Sequence, residues 1–145
     1  MRFHASCAAK LGPDGSPDGV LLLGSAGSGK SDLLLRLLER GWLLVADDQV
    51  LVEAGIARAP DALAGMLEVR GLGLFKLNFC PAAPLRLVVR LGVPPDRLPL
   101  PARDEATGLP VVMIDALQHS APERLSMALD AACGRVSQVA GSFQA

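Results

Sequence analysis

Residues 20–41 read "VLLLGSAGSGKSDLLLRLLERG": an apolar run, a glycine-rich turn and a leucine-periodic stretch in direct succession. "VLLLG", 20–24, is apolar on both alternating sides, as in a strand buried on two faces. In "KSDLLLRLLERG", Leu34, Leu37 and Leu38 recur at helical spacing and Leu33 widens the stripe. Asp32 and Arg36 sit four apart, acid first, the better order for a helical pair. Asp32 lies in the first turn and Arg40 in the last, both matching the helix dipole, and Gly41 is a natural stop. The spacing therefore predicts strand, loop and helix, the opening of an α/β domain.

The loop, "GSAGSGKS", 24–31, fits G-x-x-x-x-G-K-[ST] at every position. In such a loop, here Gly24, Ser25, Ala26, Gly27, Ser28, Gly29, Lys30 and Ser31, successive backbone N–H groups turn inward and cradle phosphate oxygens. Gly24, Gly27 and Gly29 permit backbone angles and close approaches that a Cβ would block. The positive end of the following helix adds to the anion site. Lys30 supplies a point charge near the β- and γ-phosphates, and Ser31 a hydroxyl for Mg²⁺. Chance is the plain alternative, but the flanking strand and helix are the context that the motif requires.

A second strand, "WLLVA", 42–46, runs into Asp47 and Asp48. Adjacent carboxylates repel each other and resist burial. In a parallel sheet, ligands gather beyond the carboxyl ends of strands, and one helical crossover separates this end from the loop. Beside Mg²⁺ and Lys30 the pair becomes tolerable. Neighbours in a strand point to opposite faces, so the two acids take different roles. One reaches the metal, directly or through water, and the other accepts a proton from an attacking hydroxyl. A solvated turn is the bland reading. In "LEVRGLG", 67–73, Glu68 and Arg70 fall on one side of a presumed strand. Glu68 can complete a metal shell, and Arg70 can hold it or touch phosphate. A surface ion pair on an edge strand is the alternative.

The remaining chain is less specific. "RFHASCAAKL", 2–11, alternates, with Phe3, Ala5, Cys7, Ala9 and Leu11 on one side and Arg2, His4, Ser6 and Lys10 mostly on the other, which predicts a strand with one wet or functional face. "GPDGSPDG", 12–19, carries two consecutive Pro-Asp-Gly turn signals. "QVLVEAG", 49–55, predicts a strand entering a hairpin, and residues 56–66 are ambiguous. Residues 81–110 hold seven of the eleven prolines, which rules out a long helix there but leaves "LRLVVRLG", 85–92, as a strand. "LPVVMIDA", 109–116, is another. "SAPE", 120–123, predicts a capping box of Ser120 with Glu123, opening a helix with Leu125, Ala128, Leu129 and Ala132 on one side. The last dozen residues look loose.

Size and composition fit one domain, 1–145: 145 residues, half of them apolar, are enough to bury about 68–70% of the unfolded surface. A net charge of −1 with four Phe, one Trp and no Tyr implies neither a basic nucleic-acid face nor a base-stacking platform. The three cysteines show no zinc spacing. No apolar stretch reaches ~18 residues, so no membrane span is expected, and a cytoplasmic protein with reduced thiols is the simplest expectation.

Taken together, "GSAGSGKSDLLLRLLERG", "LVADDQV" and "LEVRGLGL", in that order and with His4 ahead of the loop, resemble the bacterial HPr kinase/phosphorylase family. The resemblance covers residues 4 to about 77 well. It is weaker from 85 to 130, where "DRLP" is similar to the family's Asp-Arg-Leu segment. The pattern resembles the short form, a catalytic domain without the usual N-terminal domain. It implies an ATP- and Mg²⁺-dependent protein serine kinase acting on HPr or an HPr-like phosphocarrier of the phosphotransferase system. The implied fold is a phosphate-loop kinase domain akin to phosphoenolpyruvate carboxykinase, a mixed central sheet flanked by helices. On matching positions, Asp47 is implied as proton acceptor, Ser31 and Glu68 as magnesium ligands, and Lys30, His4 and Arg97 as further active-site residues. The residues' own pattern, rather than the resemblance, puts Asp48 and Arg70 on the nucleotide side. The 67–76 stretch is implied to assist catalysis.

Two departures bear on activity. Long members carry a Gly-Arg-Asn segment linked to phosphorolysis, and "LPVVMIDALQHSAPERLSMAL" occupies that place without it, which favours the kinase direction over the phosphorylase. The loop after Gly73 is short, which leaves substrate docking open. A homo-oligomer is compatible with the resemblance, but the hexamer common among long members is not carried over. Two other readings stand beside the protein kinase. One is a small-molecule kinase, with Arg90, Arg97 or Arg103 serving as a lid arginine. The other is a nucleotide-binding regulator with little catalysis.

Overall fold

A computed structural model describes residues 1–144 of the chain. Ten strands and two helices follow in order. β1 is Arg2–Phe3, β2 Ser6–Leu11, β3 Pro17–Leu23, α1 Lys30–Glu39, β4 Leu43–Ala46, β5 Val50–Glu53, β6 Ile56–Arg58, β7 Met66–Val69, β8 Gly73–Lys76, β9 Ala83–Leu91, β10 Val111–Ile114 and α2 Ala121–Ala132. The fold is α/β around a mixed sheet of order β1-β5-β6-β9-β3-β2-β4, with β10 beside β9. β9 runs parallel to β3 and β10, and β2 runs antiparallel to both β3 and β4.

That insertion of β2 corrects the simple parallel picture. β3 and β4 are not neighbours, yet each is antiparallel to the strand between them, so they point the same way. Their carboxyl ends still share one edge of the sheet. The start of β2 is at that edge too.

Alternation along the central strands divides the core. Ala8, Val20, Leu22, Leu44, Leu87 and Val89 face both helices, meeting Leu33, Leu34 and Leu37 of α1 and Leu125 and Leu129 of α2. Cys7, Ala9, Leu21, Val45 and Val88 face the other way, onto Ala5, Val50, Ala57 and Ala83. Both helices therefore cover the same face. α1 keeps the expected Asp32–Arg36 pair at 3.2 Å and ends before Gly41 at φ 86°. Arg36 also donates to the carbonyls of Ala116 and Gln118, which ties α1 to the segment after β10.

Three local expectations fail for long-range reasons. The N-terminal strand is interrupted at His4, and its predicted wet face is wet only in part: Ser6 and Ala8 are buried, because β2 is covered on both sides. The second Pro-Asp-Gly is not a turn but the start of β3. Its Asp18 is buried between Arg86, at 3.1 Å, and Arg135, which anchors the end of the chain that looked loose. The capping box of Ser120 with Glu123 does not form. Ser120 holds the N-cap position without a side-chain cap bond, its hydroxyl accepting from Arg124 at 2.8 Å, while Glu123 pairs at 2.8 Å with Arg40, the residue that caps the end of α1.

Asp104 is a buried carboxylate on the loop before β10. Burial by itself pushes its carboxyl up, but hydrogen bonds from Thr107 and from Arg90, at 3.1 Å, outweigh that and hold it below the ordinary carboxylate range. A depressed folded value means that the stabilisation is complete above the unfolded value, near 3.9, and is lost as pH falls through the folded one. We expect Asp104→Asn to cost about 1–2 kcal/mol at pH 7. The gap to wild type should shrink as pH falls below about 4, as urea unfolding at pH 7 and pH 3 would show. A gap that widens in acid contradicts this role.

The cysteines are free, as expected. Cys7 and Cys80 are buried and Cys133 partly so. Burial pushes the Cys7 thiol far up, which makes it an inert packing group.

Candidate active site

The loop between β3 and α1 takes its shape from its glycines. Gly27 and Gly29 have φ of 80° and 96°, a region that side chains avoid. Gly24 serves differently: a Cβ there would lie 2.3 Å from the Ser28 hydroxyl oxygen. A Cβ at Gly29 would also come within 3.1 Å of Ala116, so the loop leans on the segment after β10. α1 begins at Lys30 directly behind the loop. Lys30 folds back, its Nζ donating to the carbonyl oxygens of Gly24 at 2.5 Å and Ser25 at 3.2 Å. The ammonium thus hangs over the loop, where an anion's own oxygens can take over its hydrogen bonds.

Across the sheet edge, β4 ends at Ala46 and the acids follow in a bend. They diverge, but not by strand alternation. Asp48 has φ 71°, an uncommon backbone for a residue with a side chain. Its carbonyl accepts from the Ala5 N–H at 3.1 Å, which stitches the bend to the start of β2. Asp48 faces His4, with Oδ1 3.7 Å from Nε2, and both side chains are exposed. Asp47 is half-buried and turns toward the loop. The Ser31 hydroxyl donates to it at 3.3 Å to Oδ1 and 3.5 Å to Oδ2. The Ser6 hydroxyl donates to Oδ1 at 2.8 Å.

β7 and β8 form a separate two-stranded hairpin. It closes one side of a cleft of about 700 Å³, a size that suits a small-molecule ligand. Lys30, Ser31, Asp47, Asp48, Glu68, Arg70 and His4 all line it, together with Ala26, Gly27 and Gly29. Glu68 lies on β7, but the strand ends at Val69 and Arg70 belongs to the turn. The two make no ion pair with each other among the described residues. Leu35, Leu63, Met66, Val69 and Leu74 supply an apolar wall.

Most of the residues singled out in the sequence are thus brought together. Gly24, Ser25 and Ser28 belong to the loop without lining the cleft. Arg97 is not brought in: it is exposed in the Pro-rich segment after β9 and does not line the cleft. Ser6 also lines the cleft, and its place on the polar side of an alternating strand beside His4 is the sequence signal for it.

Comparison with known proteins agrees with this arrangement. Residues 16–80, which contain the loop, the acids and the hairpin, match the HPr Serine kinase C-terminal domain family. The HPr kinase/phosphorylases of Burkholderia cenocepacia and Paraburkholderia phymatum are each 40% identical to the chain over 131 aligned residues. The chain is similar to the HPr kinase/phosphorylase family. Those alignments cover 79% of this chain and 40% of each relative, so the chain spans about two-fifths of the length of the curated HPr kinase/phosphorylases it matches. The Hpr(Ser) kinase/phosphatase structure from Coxiella burnetii superposes with a TM-score of 0.64 at 24% identity, covering 88% of this chain and 99% of that one. That likeness shows the HPr kinase fold. Among the described residues no helix is long and apolar enough to cross a membrane.

Proposed function

We propose that the chain is an ATP- and Mg²⁺-dependent protein serine kinase acting in the cytoplasm on HPr or an HPr-like phosphocarrier. The observation that carries this is the 3.3 Å approach of the Ser31 hydroxyl to the Asp47 carboxylate at the mouth of the glycine-rich loop. A phosphate-binding loop and a proton acceptor meet there.

In this reading the loop N–H groups and the start of α1 hold the β- and γ-phosphates, and Lys30 leaves the loop carbonyls to neutralise them. The donor set suits Mg²⁺, which prefers oxygen and commonly takes one or two protein ligands beside phosphates and water. Ser31 and Glu68 would hold it, and when bound it would offset phosphate charge. No group of three or more His, Cys, Asp or Glu forms a ready metal cage among the described residues, which suits an ion carried in with nucleotide. Asp47 accepts the proton of the substrate serine. The serine oxygen forms a bond to the γ-phosphorus, the bond from that phosphorus to the bridging oxygen breaks, and ADP leaves. Positioning and charge neutralisation supply most of the acceleration. His4 lines the cleft beside Asp48. Arg97 lies outside the cleft that this reading uses.

The test is incubation with labelled ATP, Mg²⁺ and purified HPr-type protein, followed by locating the phosphoserine. Label on one serine supports the proposal. ATP binding without transfer to any candidate phosphocarrier overturns it in favour of a regulatory module. Transfer to small hydroxyl compounds alone points to a small-molecule kinase.

A further inference from the structure

We infer that Ser6 is a positioning residue for the proton acceptor, holding Asp47 Oδ1 so that Oδ2 is the oxygen presented to the substrate hydroxyl. The inference rests on the proposed kinase reading. Its observation is independent of that reading: the Ser6 hydroxyl, on a residue 1% exposed, donates to Asp47 Oδ1 at 2.8 Å.

A carboxylate turns broadly about its last torsion, and its two oxygens are equivalent unless a neighbour distinguishes them. Among the described residues, the hydroxyls of Ser6 and Ser31 touch Asp47. Ser31 is shared almost evenly, at 3.3 and 3.5 Å, whereas Ser6 is on one oxygen alone and closer. Bound nucleotide with its metal ion would draw the Ser31 hydroxyl away, leaving Ser6 as the group that fixes Asp47 during transfer. The backbone supports this placement. Ser6 opens β2, the strand between β3 and β4, so its side chain emerges at the edge where both neighbours end. The β2–β4 register shifts between Cys7 and Ala8, beside this contact. Such irregularities re-aim side chains next to sites.

Kinetics and an acceptor-free measurement test it together. Ser6→Ala should lower kcat for transfer to the HPr-type protein about tenfold to a hundredfold, with KM for ATP held within about twofold, because binding and positioning separate in this way. Ser6→Thr, which keeps the hydroxyl, should restore most of the lost rate. In protein carrying ¹³C-labelled aspartate, the Asp47 carboxyl resonance should shift in Ser6→Ala and stay near its wild-type position in Ser6→Thr. An unchanged resonance and unchanged kcat in Ser6→Ala overturn the inference. So does a rate loss that Ser6→Thr fails to restore while its fold is intact by circular dichroism. Should the wild-type protein transfer no phosphate, the kinase reading fails, while the resonance still decides whether Ser6 holds Asp47.

Discussion

Asp47→Ala removes phosphate transfer to the acceptor serine and leaves nucleotide binding nearly intact. The expectation follows from where the side chain stands. Asp47 is half-buried beyond the carboxyl end of β4, and its carboxylate accepts from the side-chain hydroxyls of Ser6 and Ser31. In the proposed reading its loss takes away the proton acceptor and leaves the proposed anion cradle in place. General-base contributions run to about 10²–10⁴-fold, so kcat should fall by that order while ATP affinity stays within a few-fold. Alanine also frees the hydroxyls of Ser6 and Ser31, and the small vacated volume at the cleft is open to water, so the fold should survive. Stopped-time assays with labelled ATP, paired with titration of a fluorescent nucleotide, check both halves. Transfer at near wild-type rate in the variant would show that another group takes the proton.

Lys30→Met gives the opposite separation. Nucleotide binding itself is lost, and transfer falls with it. Methionine keeps a similar length and the helix-forming character needed at the start of α1, so the change removes charge and donors rather than shape. The ammonium donates hydrogen bonds to two loop carbonyls, those of Gly24 and Ser25. Those carbonyls are near solvent and hydrate readily once the lysine is gone, so the fold loses little. The phosphate chain, by contrast, loses its point charge. Truncating one member of a close charge pair costs about 2–5 kcal/mol in binding, which is a thirtyfold or greater weakening by the lower figure at about 1.4 kcal/mol per decade. Nucleotide titration should show that loss with an unchanged unfolding midpoint. An unaltered dissociation constant would mean that the loop is not where phosphate sits.

The features legible in the sequence are those set by neighbours in the chain. α1 follows from leucine spacing, an acid-first Asp32–Arg36 pair and a stop at Gly41, and all three are present. β5 and its entry into a hairpin follow from the alternation of residues 49–55, and the turn falls at Ala54 and Gly55, whose φ values are 51° and 77°; β6 lies in the stretch from 56 that reads ambiguously. The cleft was legible because its loop is a contiguous motif and its acids sit one helix away. What resisted reading depends on partners far along the chain. Asp18 belongs to a turn signal locally, but Arg86 and Arg135 draw it into β3. Glu123 is a capping residue by spacing, yet Arg40 at the end of α1 takes it. The place of β2 between β3 and β4 is a pairing choice that no local pattern encodes. Ser6 acquires its meaning from that choice, since only β2 in that place brings its hydroxyl to Asp47. Arg97 came from resemblance alone, and no local pattern could have placed it outside the cleft.

The most direct test of the account is a crystal structure of the protein with Mg²⁺ and a non-hydrolysable ATP analogue. The account predicts the β- and γ-phosphates seated on residues 24–31, Mg²⁺ bound through the Ser31 hydroxyl with Glu68 beside it, and Asp47 facing the γ-phosphate while still held by Ser6. Nucleotide bound elsewhere, or Asp47 turned from the γ-phosphate with the metal on other groups, would contradict it.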